Sequence, residues 1–426
     1  MLSVKSWCAL AFVLRVDTFL LRQMTQRVHR HVLNWGMGVE STAILLRWVY
    51  ELEMRPFSDW RHVIVLVAQT GDEMPYTKVL AEAHLFPILR QLGVRVVQVA
   101  KASASKRDGY RVLDDTRQPE VLYTEGYFKL SQNLLLSGTV PRLGRPHICA
   151  QRWKGEVLDA WLADSLDGDT FGPYLGYNAD ETNRVAKSDG YGSRGFDYLY
   201  PLVEWGWSRA DCLYYIYFHQ GVIWAKSACN FCPFQDCGTA VERFQRDPEA
   251  GAHALFMEAN ALAHNPRMHL FSSGTAYDLV ARNSATLQPV LEHYEALLEQ
   301  STWGVYHVRR IYRQLPIKDK PGKCRVDADR YNCLVAEGDR AQMEALLAEF
   351  ACEKQRAVVE RYGKRFYVHE RVLKQYPAWE EFYVVAVKAA QDKCRNLTSF
   401  RERWQVLTGE LMELKPGESQ QISLIF

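Results

Sequence analysis

The sequence predicts an α/β fold, with a parallel sheet over residues 24–240 and a mainly helical domain over 241–426. Three observations predict it. An apolar strand, Val32-Leu33, runs through a glycine turn into a helical pattern in which Ile44, Leu45, Trp48, Val49 and Leu52 share one face. A second run, His62 to Ala68, is continuously apolar, as a strand buried on both faces is. The order strand, helix, strand, helix, strand then requires crossover connections and parallel pairing.

The turn after the first strand is Asn34-Trp35-Gly36-Met37-Gly38-Val39-Glu40-Ser41-Thr42. Glycines let backbone approach a ligand closely, and the first N–H groups of a helix are unpaired and favour an anion. Ser41 and Thr42 add hydroxyls, so the stretch is suited to phosphate. It lacks the Gly-Lys-Ser/Thr of the kinase-type P-loop. The second strand ends in Gln69-Thr70-Gly71-Asp72-Glu73, Tyr76 to Leu92 reads as a helix closed by Gly93, and Val94 to Val99 as a third strand. Residues 101–146 read as a long polar, irregular stretch with Lys101, Lys106, Arg107, Arg142 and Arg145. A helix opens at Cys149-Ala150-Gln151-Arg152-Trp153-Lys154 and runs to about Leu166. Gly172 to Tyr177 reads as a fourth strand, ending in Asn178-Ala179-Asp180-Glu181-Thr182-Asn183-Arg184. Tyr200 to Trp207 reads as extended, and Ser208, with Asp211 in the box position, caps a helix that ends near Gly221.

At 426 residues the chain can bury a large core and make two domains. A net charge of +2 announces no nucleic-acid partner, so any such surface must be local. No run reaches the roughly 18–20 apolar residues of a membrane span. Trp7 to Leu14 is apolar, but Arg15, Asp17 and Arg22 follow, and residues 1–23 read as an extension, with a short packed helix as the alternative.

Ten cysteines are too few for a disulfide scaffold in a chain of this length, which fits a reducing cytoplasm. Three of them, Cys229, Cys232 and Cys237, share one short stretch with metal-ligand spacing. Cys149 is the candidate fourth ligand, and spacing leaves zinc and an iron–sulfur cluster both open. Asp72 and Glu73 suit Mg²⁺ beside a triphosphate, or Asp72 caps its turn. Arg152 and Lys154 are phosphate clamps or the solvated face of their helix. Arg184 is a phosphate arginine or one half of an ion pair with Glu181. From 240 onward the pattern is helical except at 307–325, where His307, Arg309, Arg310, Arg313, Lys318, Lys320, Lys323 and Arg325 oppose Asp319 alone. Tyr306 and Tyr312 are interleaved, which suits a nucleic-acid backbone, although charge runs are usually just solvated.

Taken together these residues resemble the PP-loop ATP pyrophosphatases, in the branch that includes the phosphoadenylyl-sulfate (PAPS) reductases. Gly36-Met37-Gly38-Val39-Glu40-Ser41 resembles the family's Ser-Gly-Gly-x-Asp-Ser loop, and Thr70-Gly71-Asp72-Glu73 its Asp-Thr-Gly-x-Glu element. Cys149 with Arg152 and Lys154, then Gly176…Asp180-Glu181…Arg184, Pro201-Leu202…Trp205 and Ser227-Ala228-Cys229-x-x-Cys232-Pro233-Phe234 complete the set in the family's order, over roughly residues 27–240. Departures are Asn34 and Gly36 where serine is frequent, Met37 for a glycine and Glu40 for aspartate. A terminal Glu-Cys-Gly is missing from Gln421–Phe426, which argues against sulfonucleotide reduction. A lone Cys149 with a compact downstream trio is nearest in pattern to the ATP pyrophosphatases of bacterial DNA phosphorothioation systems (Dnd and Ssp types).

The resemblance implies a Rossmann-like sheet of the adenine nucleotide alpha-hydrolase type. It also implies cleavage of ATP to AMP and pyrophosphate to activate an oxygen for sulfur transfer, with Mg²⁺ and a [4Fe–4S] cluster, or zinc, as cofactors. Ser41, Asp72, Lys154 and Arg184 are the expected catalytic groups. Gly36, Met37, Gly38, Val39, Glu40, Ser41, Thr42, Thr70, Gly71, Gly176, Asp180 and Glu181 would bind the nucleotide. Cys149, Cys229, Cys232 and Cys237 would hold the metal. DNA is the expected partner, with tRNA as the alternative, alongside a cysteine desulfurase. A sulfonucleotide reductase and a tRNA thiolation enzyme are the rival activities.

Overall fold

A computed structural model describes residues 29–412 apart from 142, 144–146, 166–169, 189–196, 319, 395 and 411. The expected extension at 1–23, Arg142, Arg145, Asp319 and the 421–426 tail lie outside the described residues. Two compact units form, one from residues up to 129 together with 149–229, the other from 130–148 and 230 onward. The expected boundary at 240 therefore falls within the second unit.

The first unit holds a five-stranded sheet of β1 (His29–Asn34), β2 (Val63–Gln69), β3 (Arg95–Lys101), β4 (Tyr110–Thr116) and β5 (Thr170–Leu175), in the order β4-β3-β2-β1-β5. The pairs β1–β2, β2–β3 and β1–β5 are parallel, while β4 joins β3 antiparallel at the edge. Alternation sorts the strands onto two cores. Leu33, Val65 and Val67 pack with Ile44, Leu45, Phe86 and Ile216, and Val32, Ile64 and Leu66 with Val157, Trp161 and Leu162. Helices thus cover both faces, which accounts for the unbroken apolar runs. The mixed α/β sheet is compatible with a Rossmann-like fold. The chain leaves β1 toward β2 on one side and returns to β5 on the other, so β1 and β5 form the topological switch point, beyond whose carboxyl ends open α/β sheets bind ligands.

Two local expectations give way. The stretch 101–146 contains β4 and the helix Leu130–Ser137. Half-exposed at an edge, β4 (YRVLDDT) carries few apolar residues to announce it. Within Tyr200–Trp207 a short helix, Pro201–Glu204, forms, started by a proline at its first position.

The second unit is not mainly helical. Alongside helices such as Pro248–His264, Ser284–Glu299, Arg340–Glu353 and Leu397–Thr408 stands a six-stranded sheet. It comprises β6 (Trp303–Pro316), β7 (Cys324–Gly338), β8 (Val359–Glu360), β9 (Lys364–His369), β10 (Ala378–Val387) and β11 (Lys393–Cys394), in the order β11-β7-β6-β10-β9-β8, every pair antiparallel. The stretch 307–325 is most of β6 and the start of β7. Its charges hide the strand because many of them are paired inside the sheet.

Candidate functional site

At the end of β1, Trp35 N–H donates to Leu66 O at 2.9 Å, and the chain turns into the helix Val39–Tyr50. Gly38 occupies the N-cap position and no side chain caps the helix. The first intrahelical bond is Thr42 N–H to Gly38 O at 3.2 Å, so the N–H groups of Val39, Glu40 and Ser41 precede the helical ladder. They follow the carboxyl end of β1, beside the end of β5.

Gly176, just past β5, packs against this turn. A Cβ there would stand 2.8 Å from Ser41 N and 3.1 Å from Ser41 Cα, so only glycine lets the two loops come this close. Gly36, by contrast, is exposed, and a Cβ on it would meet nothing within 4 Å. Met37 adopts φ 61°, the left-handed conformation that favours glycine. It is held there by burial of its side chain, by Gln69 Nε2 donating to Sδ at 3.6 Å and by Trp224 Nε1 donating to its carbonyl at 3.0 Å.

The two hydroxyls of the turn differ. Ser41 Oγ accepts from Gly36 N–H at 3.2 Å, which leaves its own proton to donate. Thr42 is fully buried, and its Oγ1 accepts from Trp35 Nε1 at 2.9 Å; the side chain braces the turn from within. Glu40 forms an ion pair with Arg209. Ser227 Oγ donates to Gly36 O at 2.7 Å, tying the segment ahead of Cys229 to the loop.

The Thr70–Glu73 turn follows β2. Gly71 has φ 84°, and a Cβ on it would approach Lys129 Cγ to 2.8 Å. Thr70 Oγ1 lies 3.3 Å from Cys229 Sγ, and Glu73 forms an antiparallel bridge with Cys229. Lys154 reaches Glu73 Oε1 at 2.8 Å, while Oε2 of the same carboxylate is buried with no hydrogen-bond partner. Burial pushes the Cys229 thiol well above its ordinary range, and the Glu73 charge adds to it. Asp72 is half-buried beside this pair, and Arg152 is exposed.

Beyond β5, Asn178 caps the turn Ala179–Glu181 in a reciprocal box with Glu181. Glu181 also pairs with Arg184, whose guanidinium lies 4.5 Å from the Tyr177 ring centroid. Asp180 is exposed.

The structure thus brings Gly36–Thr42 and Gly176 together, and places Thr70–Glu73, Lys154 and Cys229 together. Sequence reasoning missed Arg209, Trp224 and Ser227 as supports of the loop. Ser227 adjoins the Ala228-Cys229 motif, and Arg209 opens a capped helix. Trp224 carries no local signal.

Of the four expected metal ligands, Cys149 and Cys229 belong to the first unit, and Cys232 and Cys237 to the second, where Cys237 Sγ lies 3.3 Å from Ser273 Oγ. Among the described residues no group of three or more His, Cys, Asp or Glu is gathered to hold a metal ion. The donor set therefore offers no basis for routing a chemical step through a cluster. For Mg²⁺ the fit is better: it takes one or two carboxylates and fills its shell from phosphate and water, and Asp72 and the orphaned Glu73 Oε2 are hard oxygen donors.

Nor do the aromatic and basic residues of 306–313 form an open surface. Tyr306 and Tyr312 are buried and donate to Ala390 O and Glu380 Oε2, each at 2.9 Å. Arg309 pairs with Glu381 at 2.8 Å, the buried Arg310 donates to His264 O at 2.5 Å, and Arg313 pairs with Asp329 at 2.9 Å. Among the described residues no helix is long and apolar enough to cross a membrane. No family model, curated protein or solved structure matches the chain.

Proposed function

We propose that the protein is an ATP pyrophosphatase that activates an acceptor oxygen for sulfur transfer, the acceptor being a DNA phosphate. One observation carries the reading: the uncapped helix start at Val39–Ser41 follows the carboxyl end of β1 at the switch point, with a glycine, Gly176, as its close neighbour just past β5.

The acceptor oxygen would attack the α-phosphorus of ATP, and the bond to the β-phosphate oxygen would break. The N–H groups of Val39, Glu40 and Ser41 and the Ser41 hydroxyl are placed to receive the negative charge gathering on the departing pyrophosphate. Mg²⁺, when bound, supplies further neutralisation of the triphosphate. Lys154, paired with Glu73, and Arg184, paired with Glu181, would add cationic charge to the same reaction. The outer sulfur of a desulfurase cysteine persulfide would then attack the DNA phosphorus. The bond from that phosphorus to the activated oxygen would break with the oxygen leaving as part of AMP, and a thiol reductant would cleave the S–S bond to free the phosphorothioate.

The test is product analysis with anaerobically purified protein, ATP and duplex DNA or tRNA. Pyrophosphate should be released with an equal amount of AMP, joined to the acceptor at first and free once a persulfide donor is added. ADP and phosphate, or no turnover with either nucleic acid, would overturn the reading.

Cys149, Cys229, Cys232 and Cys237 are carried as proposed ligands of a [4Fe–4S] cluster, with zinc as the alternative. Metal analysis should find about four iron and four sulfide per chain, lost in Cys149→Ser and kept in Cys212→Ser. Stoichiometric zinc without iron would leave the ligands standing and remove redox chemistry.

A further inference from the structure

In the second unit, β6 and β7 are longer than the sheet that holds them. Pairing of β6 with β10 ends at Tyr312↔Ala378, and β7 meets β11 only at Tyr331 and Asn332. The β6–β7 ladder runs on through Arg313↔Asp327 to Pro316↔Cys324. Four residues of each strand thus continue as a two-stranded ribbon, reaching about 13 Å at roughly 3.3 Å per residue, before a turn closes it. The turn is fixed by Ile317 N–H to Lys323 O at 2.9 Å and Lys323 N–H to Lys320 O at 3.1 Å, with Gly322 at φ 74°.

Charge is divided along this ribbon. At its root, Arg313 meets Asp327 and Asp329, and Arg403 meets Asp329, so the cations are neutralised. At its tip Lys318, Lys320, Lys323 and Arg325 are all exposed, and among the described residues no acid pairs with them; with Asp319, which lies outside the described residues, the tip carries a formal charge of +3. Lysine is common on sheet edges, where it discourages strand pairing. Four cations confined to the tip, beyond a root whose arginines are already paired, go further than that purpose needs.

We propose that this ribbon is the DNA-holding element of the protein, its tip entering the major groove with Lys318, Lys320, Lys323 and Arg325 on the flanking phosphates. The proposal rests on the reading of DNA as the acceptor and names the surface that would engage it. Groove dimensions select the partner: the major groove of B-form DNA, about 12 Å wide and 8.5 Å deep, admits a two-stranded ribbon. That of A-form RNA is too narrow to be entered. The site differs from a basic surface at Arg309, Arg310 and Arg313, which are engaged within the sheet.

The experiment measures binding of the full chain to a duplex DNA and to a duplex RNA of matching sequence, as salt rises from about 50 to 200 mM. Wild type should prefer the DNA by at least tenfold. The variant Lys318→Gln, Lys320→Gln, Lys323→Gln, Arg325→Gln should bind DNA at least tenfold more weakly. Its slope of log affinity against log salt should fall by about three to four, near 0.9 per lost phosphate contact. Its melting temperature and its affinity for ATP should be unchanged, since all four side chains are exposed and outside the nucleotide loop. A variant that binds as wild type does, with the same slope, overturns the ribbon while leaving DNA as the acceptor. Equal or tighter binding of the RNA overturns the groove assignment. A wild type that binds no DNA overturns the acceptor reading and the ribbon with it.

Discussion

In the parallel sheet, β2 buries all of Val63–Gln69, and only Gln69, at its carboxyl end, is polar. In the antiparallel sheet, β6 buries His307 and Arg310 among Val305, Tyr306, Val308 and Ile311, and opposite it β10 buries Glu380 and Glu381. One sheet buries only uncharged polar side chains within its strands, such as His31 and Gln98, and keeps its charged groups toward the strand ends. The other carries charge through its middle and satisfies it with ion pairs and carbonyls. Charge in the sequence therefore means different things in the two units: in the second, much of it is internal, and a partner meets only what runs past the sheet.

The strongest way to break this comparison is to remove one internal acid. Glu381 is 4% exposed and pairs with both His307 and Arg309. Burial pushes its carboxyl up, but the His307 hydrogen bond and the Arg309 charge more than offset that and hold it below the ordinary range. Glu381→Ala leaves the Arg309 cation without its carboxylate and the buried His307 ring nitrogen without its hydrogen-bond partner, a loss of about 3–5 kcal/mol. Val65→Ala in the parallel sheet deletes two buried methyl-sized groups and should cost about 2 kcal/mol. Urea unfolding ranks the two, and a smaller loss at Glu381 would show that the ion pairs contribute little.

Acidification tests the same contrast more gently. The ring of His31 in β1 is buried, 2.8 Å from the Tyr174 hydroxyl, and its pKa is lowered to about 4 by burial first and then by His29 and His62. A histidine whose folded value lies below its unfolded 6.5 stabilises fully above 6.5, and that contribution is lost as pH falls toward 4. The span corresponds to about 3 kcal/mol at most. His307 is also lowered by burial, but its Glu381 hydrogen bond pulls the other way. Melting temperatures between pH 7 and 4 should therefore fall less steeply in His31→Gln than in wild type. An unchanged slope would assign the acid sensitivity elsewhere.

At the nucleotide loop the expected effect is catalytic. Ser41→Ala removes a hydroxyl donor to charged phosphate, worth about 1.5–3 kcal/mol. Pyrophosphate release should drop by about one to two orders of magnitude. Turnover and ATP affinity both at wild-type values would sink the loop assignment.

Legibility follows the same division. Strand β2 announces itself because burial on both faces leaves an unbroken apolar run, β1, β3 and β5 by shorter apolar stretches, and the helix after the glycine turn by its apolar face. The Ser208–Asp211 cap and the Gly221 stop are local signals, and the structure has them. Strand β4 is hidden because an edge strand has one solvated side, and β6 because His307, Arg309 and Arg310 find partners 72 to 74 residues away or on another element. No local pattern encodes such a partner. In the site, the loop is legible as turn chemistry, and Gly176 only through the family resemblance. That Thr42 would turn inward to Trp35, that Glu40 would meet Arg209 and that Lys154 would meet Glu73 were not, since each depends on tertiary approach.

The smallest structural change is also the one that best separates fold from function at this loop. Gly36 has no atom within 4 Å of an added Cβ and no left-handed φ, so Gly36→Ala should alter stability by no more than about 0.5 kcal/mol. Gly176→Ala is the opposite case, because its methyl would stand 2.8 Å from Ser41 N, and backbone must move. If phosphate passes over the exposed crest of the turn, the Gly36 methyl occupies that path, and pyrophosphate release should fall at least tenfold at an unchanged melting temperature. Gly176→Ala should lower both together. Full turnover in Gly36→Ala would mean that the ligand does not cross Gly36, and would confine the phosphate contacts to Val39, Glu40 and Ser41.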